Sequence, residues 1–220
     1  MIFRTNKTLI KIFVLSLIVY LLSCFGAFDW LSVIVAKSLY GSLGYTNKWS
    51  HSYGPSWFVG TMGDISSLGS REIVLLFTVF LYFYLKLSRS KNSANNFLFT
   101  VGFGIVLILI VKATTSKQDT LTFHSVLVES LSNFPSGHAY IATIVYYSAV
   151  QSLSLRNTNP QAKKYLFISA SILIALIGIS RILGHYHTVT EVIAGWSLGL
   201  CWYSFAQLYL TSHNLSTAKE

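Results

Sequence analysis

Two short stretches hold most of the side chains able to do chemistry in a chain otherwise lean in charge: FPSGHAY, 134–140, and SRILGHYHTVTE, 180–191. The first stands directly before a long apolar run. A helix N-terminus presents unpaired N–H groups and a partial positive charge, so it binds phosphate readily. Pro135 presets the backbone near the helix start, Ser136 offers a hydroxyl, and Gly137 lets an anion approach the backbone closely. His138 is then placed to donate a proton. In the second stretch His187 and Glu191 are four residues apart. On a helix start the carboxylate can accept the imidazole ring proton, which fixes the tautomer and leaves the other nitrogen as a nucleophile. Arg181 supplies a planar fork for phosphate oxygens. Together these residues are ones that would grip an anion such as phosphate and hand it a proton.

The elements that must position them are membrane helices. The chain has 220 residues, 53% hydrophobic and 10% charged, with a mean hydropathy of +0.56. A soluble domain carries roughly a quarter charged residues. Apolar stretches run over about 9–28, 71–87, 95–113, 136–155, 164–183 and 188–210, each near the ~20 residues that cross a hydrocarbon core as a helix. The expected fold is therefore all-α, an integral membrane bundle of about six transmembrane helices, with residues 1–220 as a single domain. Arg4, Lys7 and Lys11, then Lys86, Arg89 and Lys91, then Arg156, Lys163 and Lys164 fall on one side if the helices alternate. By the positive-inside rule that side, with both termini, is cytoplasmic. The net charge of +9 is then mostly topology. A basic stripe on a soluble face, which nucleic-acid binding needs, is missing.

The first apolar stretch ends in LLSCFGA and can also be read as a signal peptide, or as a lipoprotein signal acylated at Cys24; a retained helix is the simpler expectation. Cys201 is inside the sixth stretch, so a disulfide framework finds no support. The segment 29–70 mixes Trp30, Tyr40, Tyr45, Trp49, Tyr53 and Trp57 with glycines and serines. It reads as an amphipathic piece at the outer interface. With this topology Lys112 ends the third helix going outward and His138 begins the fourth. Arg181 ends the fifth, followed by His185 and His187, and Glu191 opens the sixth. All of them reach the non-cytoplasmic face, although other residues fixed the orientation.

These residues resemble the type 2 phosphatidic acid phosphatases, which share three motifs with bacterial acid phosphatases and vanadium haloperoxidases. The motifs are Lys, six residues, Arg-Pro; then Pro-Ser-Gly-His; then Ser-Arg, five residues, His, three residues, Asp. Pro135 to His138 match the second, and Ser180, Arg181 and His187 match the third, with Glu191 where aspartate is usual. The resemblance covers about 60–205. It departs at the first motif: Lys112 is present, but Asp119 and Thr120 take the Arg-Pro positions. Lys117 is the candidate substitute for the missing cation.

The resemblance implies a metal-independent phosphatase with no cofactor. His187 is its nucleophile, forming a phosphohistidine, and Glu191 orients it. His138 is the general acid and later the base. Lys112, Arg181, Ser136, the Gly137 N–H and Lys117 hold the phosphate oxygens. The substrate is a lipid phosphate or diphosphate at the outer face of the cell inner membrane, its tails entering between helices. Phosphatidylglycerophosphate, phosphatidic acid, undecaprenyl diphosphate and lipid A all fit, and no obligate protein partner is evident. Three other readings stay open. A phosphotransferase passing phosphate to another lipid such as lipid A would use the same residues. A metal site could use His185, His187 and Glu191. Asp119 also suits a member that binds a lipid phosphate without turnover.

Overall fold

The computed structural model describes residues 6–43, 54–88, 91–115, 134–155 and 157–217. Among them lie α1 (Asn6–Cys24), α2 (Asp29–Leu43), α3 (Ser56–Ser67), α4 (Arg71–Leu87), α5 (Lys91–Thr115), α6 (Gly137–Ser154), α7 (Pro160–Leu183) and α8 (Val189–Thr217), with no strand. The fold is all-α, as the composition dictates. Each of the six apolar stretches falls on a helix. Four stretches, Asn6–Cys24, Ser56–Leu87, Asn92–Thr115 and Pro160–Leu183, are long and apolar enough to cross a membrane.

The helix starts follow local chemistry. Ser70 caps α4, its side chain accepting from Ile73 N. Asn159 caps α7, accepting from Gln161 N at 2.9 Å, and Pro160 occupies the first turn, where its missing N–H costs nothing. The outward faces of α4 and α5 carry Leu75, Leu76, Phe80, Phe83, Val106 and Ile110, all exposed. That belt suits contact with lipid tails.

The two helices that begin at the motifs, α6 and α8, are the more polar ones. They tolerate this because they are enclosed: α6 packs against α4, α5, α7 and α8, and α1 runs along α8. Thr143 and Ser197 satisfy their hydroxyls on their own helices, bonding to Ala139 O and Ile193 O at 2.7 Å each. Tyr140, Ile144 and Val145 of α6 are fully buried in a core shared with Val74, Leu81 and Leu85 of α4 and Phe97 and Val101 of α5.

The crossing of α6 and α8 is close because α8 carries glycines at 195 and 199, one turn apart. A Cβ on Gly195 would lie 2.5 Å from Ser136 O, and one on Gly199 would lie 2.8 Å from Thr143 Cβ. Small residues thus seat the second and third turns of α8 directly against the first two turns of α6.

The segment 29–70 is more than an interfacial piece. Trp30 and Trp57 are exposed, as an interface predicts. However, α3 packs on α7 and α2 on α8, and Tyr146 Oη of α6 donates to Leu68 O at 2.6 Å. Both helices reach the motif-bearing end of the bundle.

Candidate active site

The C-terminal ends of α5 and α7 and the N-terminal ends of α6 and α8 meet at one end of the bundle, and with them the two stretches. Their junction is a backbone bond: Ser136 N donates to Glu191 O at 2.9 Å. His138 lies within electrostatic reach of Arg181, His187, Glu72 and Lys112. Lys112 lies within the same reach of Glu191 and Arg181. Residues up to 119 positions apart in the chain (72 to 191) therefore form one cluster.

His187 is the best-defined member. Its side chain is 1% exposed, and its Nδ1 lies 2.8 Å from Glu191 Oε2. That contact places the proton on Nδ1 and the lone pair on Nε2, which is buried with no hydrogen-bond partner. A buried unpartnered nitrogen costs stability unless something uses it.

The pairing arises differently from the helical spacing expected. His187 lies before α8, which starts at Val189. Thr188 is the N-cap: its Oγ1 accepts from Glu191 N at 3.2 Å, while Glu191 Oε2 accepts from Thr188 N at 3.1 Å. This is a capping box, and Thr-x-x-Glu was its readable signature. One carboxylate oxygen thus caps the helix and orients the imidazole. The loop before it is fixed by Arg181 O, which accepts from Tyr186 N and His187 N at 2.9 and 3.1 Å. His185 adopts φ 58° and is exposed, so the reversal turns it outward while His187 turns in. Among the described residues, no three His, Cys, Asp or Glu side chains are grouped to hold a metal ion.

Ser136 is the N-cap of α6, two positions later than a proline-first start predicts. It is fully buried, and its Oγ makes no cap bond and has no partner. Lys112 is 1% exposed. A Cβ on Gly137 would stand 3.8 Å from Lys112 Nζ, so the missing side chain leaves room between the backbone and the ammonium. His138 is half-buried beside them. Arg181 is held on two sides: its Nη1 donates to Ser66 Oγ at 2.8 Å, and its Cζ lies 4.2 Å from the centre of the Tyr186 ring. Its Nε is buried without a partner. Ser136 Oγ and Arg181 Nε are thus two orphaned donors, and His187 Nε2 an orphaned lone pair, a set chemically suited to a tetrahedral oxyanion.

Sequence reasoning identified Lys112, Ser136, Gly137, His138, Arg181, His187 and Glu191, and the structure brings all seven together. Lys117, Asp119 and Thr120 lie outside the described residues. It missed Ser66, Thr188 and Tyr186.

The PAP2 superfamily model matches residues 111–214. Phosphatidylglycerophosphatase B of Bacillus subtilis (strain 168) is 30% identical over 154 residues, 66% of this chain and 71% of that protein. The chain belongs to the PAP2 superfamily. A PA-phosphatase related-family protein of Dictyostelium discoideum is 36% identical over 77 residues, 33% of this chain and 21% of its own. The PAP2 fold extends over the whole bundle. The crystal structure of a transmembrane PAP2-type phosphatidylglycerolphosphate phosphatase from Bacillus subtilis superposes with a TM-score of 0.66 at 21% identity, covering 93% of this chain and 96% of that one.

Proposed function

We propose that this PAP2-type membrane phosphatase hydrolyses the terminal phosphate of a lipid through a phosphohistidine on His187. The observation that carries the reading is the His187 ring itself, with Nδ1 engaged by Glu191 and Nε2 buried and unpartnered. His187 Nε2 attacks phosphorus in line, and the P–O bond to the lipid breaks as the P–N bond forms. His138 gives its proton to the departing oxygen. Water then attacks phosphorus, His138 takes its proton, the P–N bond breaks and inorganic phosphate leaves. Lys112, Arg181, Ser136 Oγ and the Gly137 N–H stabilise the equatorial oxygens. No metal enters this sequence of steps.

A lipid substrate is favoured by a cavity of about 230 Å³ that begins at this cluster. Lys112, Gly137 and Arg71 line it at the end nearest the cluster, and Val74, Leu75, Ile105, Ile108 and Ile141 are among the apolar residues lining the rest. It follows α4 from Arg71 to Thr78 and α5 from Ile105 to Lys112, about 10 Å of helix at ~1.5 Å per residue. A phosphate at Lys112 would thus have the start of its tail between α4 and α5. With the positive-inside orientation, the site faces the outside of the cell inner membrane.

The test is phosphate release by the purified protein in detergent from phosphatidylglycerophosphate, phosphatidic acid and undecaprenyl diphosphate, with and without chelator. Turnover of at least one, chelator-resistant, is expected. Phosphate from a ³²P-labelled substrate should be trapped on the wild type and on His185→Ala, and not on His187→Ala. Trapping that survives His187→Ala refutes the assignment.

A further inference from the structure

We propose that Ser66, on α3, is a positioning residue for Arg181, so that α3 belongs to the active site. The inference rests on the reading of Arg181 as a phosphate-binding residue. Ser66 is 3% exposed and stands 115 positions from Arg181, yet its Oγ accepts from Arg181 Nη1 at 2.8 Å. Arg181 is the last-turn cation of α7 and leaves its helix on a side chain with several rotatable bonds. Two contacts remove that freedom. Tyr186 covers the guanidinium face at 4.2 Å, and Ser66 takes one Nη1 hydrogen. The fork is left fixed in plane, with Nε buried and without a partner.

The α3 segment is itself tied to the site. Leu68, its C-cap, accepts from Tyr146 Oη, and a Cβ on Gly69 would lie 3.4 Å from His138 O. The 66–69 stretch is thus fastened to α6 next to the general acid, and Ser66 carries that fixed point to Arg181. The requirement is greater here than in a site with a full first motif. Asp119 stands where the family pattern has arginine, so the first motif supplies one cation fewer, and a misdirected Arg181 has less to compensate for it. Misplacement of a phosphate-holding group by about 1 Å can cost ~10²-fold.

The test compares Ser66→Thr and Ser66→Val, which add nearly the same bulk and differ in the hydroxyl, in the wild-type and Arg181→Ala backgrounds. The readouts are kcat and KM for a lipid monophosphate, with thermal stability in detergent as a control. Ser66→Thr should stay near wild type, while Ser66→Val should lose roughly 10- to 100-fold in kcat/KM, mostly in kcat. In the Arg181→Ala background, the two substitutions should give equal rates, because the hydroxyl then has nothing to orient. Equal rates for the two in the wild-type background overturn the proposal. So does a Ser66→Val defect of the same size without Arg181, which would mark a purely structural role. Wild-type activity in Arg181→Ala alone would instead refute the phosphate-binding reading of Arg181.

Discussion

Glu191→Gln separates the two jobs that one carboxylate oxygen performs. Glu191 Oε2 accepts from Thr188 N at 3.1 Å and from His187 Nδ1 at 2.8 Å. Glutamine keeps an acceptor oxygen for the cap, since a capping box accepts Glu or Gln, so α8 should start normally and thermal stability should change little. It loses the charge that stabilises the imidazolium and fixes the proton on Nδ1. A hydrogen bond to a charged group contributes about 1.5–3 kcal/mol. At ~1.36 kcal/mol per decade that alone is roughly 10- to 150-fold in rate. Loss of tautomer control in a buried Asp–His pair of a serine protease costs ~10⁴. The Glu191 side chain is 26% exposed, so water can replace part of what is lost. The expected fall in kcat is therefore about 10²–10³-fold, with KM nearly unchanged. Phosphate release and single-turnover trapping of labelled phosphate measure it, alongside a thermal unfolding scan. The converse variant, Thr188→Ala, should lower stability by about 1 kcal/mol while keeping most of the rate. A Glu191→Gln enzyme within threefold of wild type, or one whose rate falls only with its stability, would refute the orienting role.

Gly195→Ala places a Cβ 2.5 Å from Ser136 O, a backbone atom that cannot swing away. It should lower stability by roughly 1–3 kcal/mol and reduce phosphate release together with it, whereas Gly63→Ala, with open space around it, should do neither. Ile108→Trp fills the apolar cavity between α4 and α5. It should raise KM severalfold for a long-chain lipid phosphate and spare a short-chain soluble ester; equal effects on both would remove the cavity from the binding path. A reporter active only outside the cytoplasm should be active when fused after Lys117 and silent near Asn159, and the reverse pattern would invert the whole site.

What the sequence made legible and what it hid divide along contact range. Six of the seven site residues lie in three short local patterns, and each pattern signals its own chemistry: a helix start with a proline, hydroxyl and glycine, an arginine at a helix end, a histidine four before a carboxylate. Apolar length alone places α1 and α4 to α8, because backbone in lipid has few other options. The clustering also followed from topology, since alternating spans put Lys112, His138, Arg181 and Glu191 at one end. The hidden parts depend on pairings that leave no local mark. Nothing in DISSLG (64–69) says that Ser66 will accept from Arg181, because a serine near an interface has many ordinary uses. The same holds for α2, where Asp29 Oδ1 accepts from Thr190 Oγ1 at 2.7 Å and Ser32 Oγ accepts from Thr190 N at 3.2 Å. The Thr188–Glu191 capping box is the exception. It was readable, yet the i,i+4 reading of His187 and Glu191 accounted for the same carboxylate and concealed it. That difference has a chemical consequence. On a helix face His187 would move with the side-chain rotamers of one exposed turn. Held instead by the cap, its orientation is coupled to whether α8 begins at Val189 at all, and that start is pinned by Ser136 N on Glu191 O and by α2 on Thr190. His187 is set in place by the same bonds that join the two motif-bearing helices.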